Sequence, residues 1–340
     1  MFPKSLPVIL LLFSLPGKAQ QPDSVKHLID STLHLMQQQS MYTKSVNWKN
    51  VYDSTYLLAG NAKTYEEAVP ALRYAFDALH DHHGWLVING KDYRNSHYIP
   101  DTNRINPATK ATIAKGGKFY AGTIEKYYTY LSIPFFSGNS ATGMHWFAQT
   151  LQDSLCKYSN TGTKGFIIDL RLNGGGNMYP MYAGIANLFS NGLIGSFIDH
   201  TGKETGNWSI KNNGVLLNDS ILVQLERTCG NYSKFPVAVL TGPLTGSAGE
   251  CIAFGLGARK NTRLFGETTA GFVTTNNGFL LPGTDNGIVL AVGLMKDHNG
   301  RIARENIKPD VSIIGGDNFE DRANDKKIQT ALQWLKHFSK

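Results

Sequence analysis

The chain is poor in cysteine, in long apolar runs and in clustered charge. Its 340 residues hold three cysteines, Cys156, Cys229 and Cys251. Three can form at most one disulfide, which excludes a small fold stapled by several. None has a histidine nearby in sequence or a helix-start setting, so nothing marks a cysteine nucleophile; Cys251, in an apolar segment, reads as a small buried residue. No stretch approaches the 18 or so apolar residues that suggest a membrane helix. Lys and Arg number 33 against 26 Asp and Glu, a net charge of +7, yet there is no basic run of five and no nucleic-acid motif. Nucleic acid is therefore not an expected partner. The phosphate loop Gly-x-x-x-x-Gly-Lys-[Ser/Thr] and the dinucleotide fingerprint Gly-x-Gly-x-x-Gly are both missing, so no nucleotide cofactor is expected. Glycine is abundant, 35 residues, but has no three-residue period and so no collagen-like meaning.

What is present falls into an ordered series of segments. Lys4 precedes a mostly apolar stretch over residues 6–15, followed by Gly17-Lys18-Ala19. That is the layout of a secretory leader, with cleavage expected after Ala19. The apolar stretch is too short for a bilayer, which needs about 20 residues, and no cysteine follows it to carry a lipid. The mature chain is expected to be exported and soluble, in a periplasm or outside the cell. Residues 20–88 read as an N-terminal three-helix bundle. Val25, Leu28, Ile29, Leu33 and Met36 recur at helical spacing, and residues 46–58 supply a second segment. Thr64-Tyr65-Glu66-Glu67 is a capping box that opens a third, with Ala68, Leu72, Ala75 and Phe76 on one face. Residues 89–122, polar and irregular, read as a connecting segment. From 123 to 340 strand-like runs (127–134, 165–170, 236–241, 263–265, 274–281, 288–294) alternate with helical ones (141–155, 179–190, 248–258, 324–338). That alternation predicts a layered α/β core.

Three places could carry chemistry. Ser247 follows a buried strand and a glycine-rich turn and opens a helix. A helix start presents free N–H groups and a favourable dipole to a negative oxygen. The Ala248 N–H would be one oxyanion donor, worth about 3–4 kcal/mol. The plainer reading is an N-cap serine. An α/β-hydrolase elbow, Gly-x-Ser-x-Gly, is not formed, because Thr245 stands two residues before Ser247. The second place is Asp169-Leu-Arg-Leu-Asn173 followed by Gly174, Gly175 and Gly176. Glycines let backbone N–H groups approach a developing charge unobstructed; Asp169 and Arg171 read as a structural pair. The third is Asp81-His82-His83 at a helix end. Histidine is the usual base near neutrality. A metal held by His80, His82 and His83 is not expected, because neighbouring side chains point in different directions.

Taken in order, these segments resemble the C-terminal processing (tail-specific) peptidase family, on its tricorn-like side, over about residues 46–335. The resemblance rests on the helical stretch ending in Asp81-His82-His83-Gly84, on KGFIIDLRLNGGGN, on LTGPLTGSAGE, on GETTAG and on ENIKPDV. It implies a ClpP/crotonase-like layered α/β core behind the helical bundle, and a serine-type endopeptidase with Ser247 as nucleophile. Ser–Lys members carry their lysine where this chain has Phe272, so the base passes to His83, as in tricorn-like members. Glu305 and His82 stand at the positions that complete the tetrad, His82 where those members have serine. The oxyanion hole would combine the Ala248 N–H with that of Gly174 or Gly175. No metal or cofactor is implied, and the expected partners are peptides or proteins. Only residues 84–126 separate bundle from core, too few for the PDZ domain many members carry. The alternative on the same fold is a non-catalytic ligand-binding module, as in the retinoid-binding repeats; the joint presence of Ser247, His83 and Glu305 favours the enzyme.

Overall fold

The computed structural model describes residues 21–117, 119–226 and 229–338; the expected leader over 1–19 lies outside the described residues. Helices α1 (Asp23–Gln39), α2 (Trp48–Ala59) and α3 (Tyr65–Asp77) come first. The apolar spacing of α1 buries Val25, Leu28, Ile29, Leu33 and Met36. Thr64 caps α3 by accepting from Glu67 N–H at 3.2 Å, while the Glu67 carboxylate reaches Lys63 N–H instead of the cap residue's own. The chain continues through β1 (Trp85–Ile88), β2 (Lys91–Arg94), α4 (Pro107–Ala114), β3 (Ala121–Ile124), β4 (Tyr128–Ser132), α5 (Ala141–Tyr158), β5 (Gly165–Asp169) and α6 (Met178–Gly184). Then follow β6 (Gly192–Ile198), β7 (Glu204–Lys211), β8 (Gly214–Leu217), β9 (Ser220–Gln224), β10 (Val237–Thr241), α7 (Ala248–Gly257), β11 (Thr262–Gly266), β12 (Thr274–Leu280), β13 (Gly287–Asp297), β14 (Val311–Ser312) and α8 (Lys326–Phe338).

These elements make the layered α/β architecture the motifs implied. One sheet has the order β2-β1-β13-β6-β7-β8-β9, with β12 on β13; the other runs β14-β11-β10-β5-β4-β3. In the second sheet β4, β5, β10, β11 and β14 are mutually parallel. Side chains alternate between its faces. Phe166 and Ile168 meet α5, α6 and α7, whereas Ile167 meets α8. The first sheet buries Trp208, Ile210, Val215 and Met295 against the same central helices. Leu86, Ile88, Ile288 and Leu290 join the core of the N-terminal helices. The bundle is thus a layer laid on the first sheet. No described helix is long and apolar enough to cross a membrane.

Three stretches differ from the sequence expectation. Residues 85–88, inside the expected bundle, form β1, which pairs with β13 in the first sheet. The connecting segment over 89–122 contains β2 and α4 and ends in β3. Residues 192–224, where the sequence pattern singles out no element, form the antiparallel meander β6–β9. Its turns are tight, with Asn212 and Asn213 at φ +50° and +64°, and Asn218 and Asp219 at +48° and +68°. Consecutive positive φ values are what two-residue hairpin turns require.

A buried ion network braces the end of β5. Arg171 pairs with Asp169, Asp317 and Asp325, and Lys327 with Glu267 and Asp317, all at 2.6–2.8 Å. Burial alone would raise the Asp169 pKa, but the Arg171 charge overrides it and holds it below the carboxylate range. Asp169 and Arg171 are the structural pair expected, and they anchor the C-terminal segment beneath the glycine loop.

Candidate active site

Strands β5 and β10 run side by side, Leu240 opposite Asp169, so the loops leaving their C-terminal ends meet. That is where open parallel sheets place their sites. The two loops are laced together. Gly246 N–H donates to Asn173 O at 3.0 Å, and Thr245 Oγ1 donates to Leu170 O at 2.8 Å. A Cβ on Gly175 would fall 2.8 Å from Ser247 Cβ, so glycine alone lets the loop lie against the serine. Ser247 itself sits at φ +50°, a left-handed conformation that costs a non-glycine residue about 1–3 kcal/mol and clusters at functional sites. Its N–H donates to Glu250 at 3.0 Å. The buried Glu250 carboxylate also accepts from Gly271 N–H at 2.8 Å and from Thr269 Oγ1. Burial raises its pKa above the ordinary value, against those hydrogen bonds. Glu250 therefore fixes both the serine backbone and the loop over 269–272.

His83 approaches from the first sheet. After α3 the chain turns at the buried Asp81, whose carboxylate accepts from the backbone N–H groups of His83 (2.9 Å), Gly84 (2.8 Å) and Ala291 on β13 (2.8 Å). The imidazole Nδ1 lies 2.8 Å from Thr274 Oγ1 on β12. Thr274 Oγ1 in turn donates to Asn276 Oδ1 at 3.4 Å, which leaves it to accept the Nδ1 proton and makes Nε2 the bare nitrogen. The Phe272 ring packs 5.1 Å from the imidazole, and Tyr98 packs 5.7 Å from Phe272. Burial pushes the His83 pKa down to about 4, against the opposing pull of the Asp81 charge. His83, Thr274, Ser247 and Ala248 line one cleft of about 670 Å³ between the layers. Such a site can deprotonate a hydroxyl at neutral pH and hold a negative oxygen.

The expected tetrad does not assemble. His82, next to His83 on an extended turn, is exposed and packs on Tyr98 at 4.9 Å. Glu305 is exposed in the segment after β13, outside the cleft lining. The Nδ1 position they were to support is filled by Thr274. The oxyanion donors also shift. Ala248 lines the cleft, and its N–H has no acceptor among the described residues. The Gly175 N–H is spent on Asn173 Oδ1 at 3.0 Å, and Gly174 lies off the lining. Gly176 does line the cleft, at φ +103°, with an N–H that no described group accepts. Thr274, Gly176 and Glu250 are the residues the sequence reading missed. Glu250 carried a local signal, an acid three residues into a helix that starts at serine, and Gly176 stood in the glycine loop already singled out, whereas Thr274 carried none. Among the described residues no cluster of His, Cys, Asp and Glu could hold a metal ion.

A serine at a helix start and a half-buried histidine lining the same cleft are the parts of a serine-type hydrolase. Residues 127–313 match peptidase family S41, and the chain belongs to that family: it is a serine-type peptidase. A nisin-resistance protein of Lactococcus lactis subsp. lactis is 26% identical over 321 residues, 93% of this chain and 88% of that protein. A lipoprotein from Streptococcus agalactiae shares the fold with a TM-score of 0.69 at 20% identity, over 96% of this chain and 99% of its own. The photosystem II D1 C-terminal processing protease does so with a TM-score of 0.59 at 14% identity, over 86% and 93%. The resemblance to C-terminal processing peptidases read from the motifs is borne out; between bundle and core the described residues form β1, β2, α4 and β3.

Proposed function

We propose that this protein is an exported endopeptidase in which Ser247 is the nucleophile and His83 its base. The observation that carries the reading is that the two side chains, from opposite layers, line one cleft, with the imidazole Nδ1 held by Thr274. Ser247 Oγ attacks the peptide carbonyl carbon while its proton passes to His83 Nε2. The carbonyl oxygen becomes an oxyanion, for which the Ala248 and Gly176 N–H groups are the available donors. The C–N bond breaks as His83 returns the proton to the departing amine, leaving an acyl-serine. Water, giving its proton to His83, releases the acid and restores Ser247. Thr274 replaces the carboxylate usual beside such a histidine. It orients the ring without giving the imidazolium a counter-charge; the Asp81 charge and the hydrogen bond to Thr274 favour the protonated intermediate, and the Arg94 charge opposes it.

Two observations support export. One is the leader-like pattern of residues 1–19. The other is the disulfide between Cys156 on α5 and Cys229, Cα–Cα 5.5 Å, a bond that persists in oxidising compartments such as the periplasm or the cell exterior. The relative named for nisin resistance makes nisin a first substrate to offer. Peptide hydrolysis by the mature chain should fall on the order of 10⁶-fold in kcat on Ser247→Ala or His83→Ala. A serine-reactive phosphonate should label Ser247. Full activity in either variant overturns the mechanism, and a folded sample with no adduct supports a ligand carrier.

A further inference from the structure

The cleft is uncharged. None of its lining residues is Asp, Glu, Lys or Arg. Its three titratable groups all stay neutral near pH 7. Burial lowers His83 to about 4 and pushes the Cys251 thiol and the Tyr179 hydroxyl each up to about 12. Charges stand only behind the lining: Lys296, next to Met295, pairs with Glu204, next to Thr205, while Asp81 and Arg94, the latter 4.9 Å over the Trp85 ring, act on His83 with opposite signs. In a chain of net charge +7 this neutrality is a local property of the site.

The walls divide into an apolar part, with Trp85, Phe197, Leu217 and Met295, and a neutral polar part that includes Thr275 and Asn277. Amides and hydroxyls can hydrogen-bond a peptide backbone but cannot neutralise an ion. Strand β12, whose residues Thr274, Thr275, Asn276 and Asn277 line the cleft, pairs with β13 alone among the described strands. Its other edge carries unpaired backbone groups, to which an extended peptide can add as a strand.

We propose that the cleft takes extended peptide segments with no charged side chain next to the scissile bond, and that it rejects Asp, Glu, Lys and Arg there by desolvation. A charge entering the cleft sheds water and meets no charged residue in the lining. Charges farther along the peptide stay in solvent and are tolerated. The proposal rests on reading this cleft as the peptidase's substrate site. Asn277, an exposed lining residue, has the shape of aspartate and is the position at which to install a charge.

The test uses blocked octapeptides of Ala, Leu, Ser and Asn, with a single Lys or Glu walked along the sequence. Binding is measured on the uncleaving Ser247→Ala protein and cleavage on the unaltered one. Either charge at a central position should weaken binding about tenfold or more, with little effect at the ends. Adding Asn277→Asp should raise the Lys peptide about tenfold relative to the Glu peptide. Equal binding of neutral and charged peptides overturns the proposal, as does binding of none, or an unchanged Lys-to-Glu ratio in the Asn277 variant. Selective binding without any cleavage by the unaltered protein sinks the Ser247–His83 reading and leaves the selectivity of the cleft standing.

Discussion

A histidine can take the proton of a serine only if it arrives without one of its own. At His83 burial lowers the pKa from 6.5 to about 4, so the acid limb of kcat/KM should fall near pH 4. Below that pH the imidazole is protonated and the base is lost; an acid limb near 6.5 would contradict this. The same shift acts on stability. Between about pH 6.5 and 4 the unfolded chain binds a proton that the folded chain does not. The contribution of neutral His83 is therefore complete above about 6.5 and is lost as pH falls toward 4. Phe272→Ala, which removes the ring 5.1 Å from the imidazole, should move the acid limb upward in the same pH–rate profile. Thr274→Val keeps the shape but removes the acceptor of Nδ1. Its kcat should drop on the order of 10²-fold with KM nearly unchanged, and Thr274→Ser should recover most of the loss. His83 was legible as a candidate base because Asp81-His82-His83 closes a helix in a recognisable order. Its hydroxyl partner was not, because Thr274 lies 191 positions away and meets it only once β1 and β12 are both laid on β13. His82 and Glu305 matched by position, but position along a chain does not fix where a side chain points.

Between residue and molecule stands the pair of loops at the ends of β5 and β10. Both strands were plain in the sequence, because a strand covered on both faces must be apolar along its length; every residue of each is buried. The loops were plain because three glycines and a Ser-Ala-Gly-Glu run are local features. The meander β6–β9 was not. Its strands are interrupted by glycine and half exposed, and the Asn212-Asn213 and Asn218-Asp219 turns that set its register are hairpin signals spread among many other polar residues. At this scale Gly175→Ala is the informative change. Its backbone lies at φ +127°, and the added Cβ would sit 2.8 Å from Ser247 Cβ. The loop must retreat from the serine, at a cost of about 1–3 kcal/mol. Urea unfolding should register that loss, and kcat should fall with the circular-dichroism spectrum unchanged.

Across the whole molecule the Cys156–Cys229 bond closes a loop spanning 73 positions. Constraining an unfolded chain over that length is worth about 4 kcal/mol. Cys156→Ser, or reductant, should lower the thermal midpoint clearly; an unchanged midpoint would mean the bond constrains nothing. The sequence allowed one pair among three cysteines without saying which, since the pairing depends on α5 lying beside the segment after β9. The two-layer meeting of Ser247 and His83 has a further meaning through Asp81. That buried carboxylate holds its own turn through the His83 and Gly84 N–H groups and ties the end of the bundle to β13 through the Ala291 N–H. Swinging the bundle outward would break that bond to a buried carboxylate, a cost of about 1–3 kcal/mol, and would strip the apolar packing of Ile288 and Leu290 against the helices. The opening is therefore of fixed width before any substrate arrives. A fixed opening sorts proteins by mechanical state: slack or unfolded segments thread in, and folded domains, however many suitable bonds they contain, stay outside.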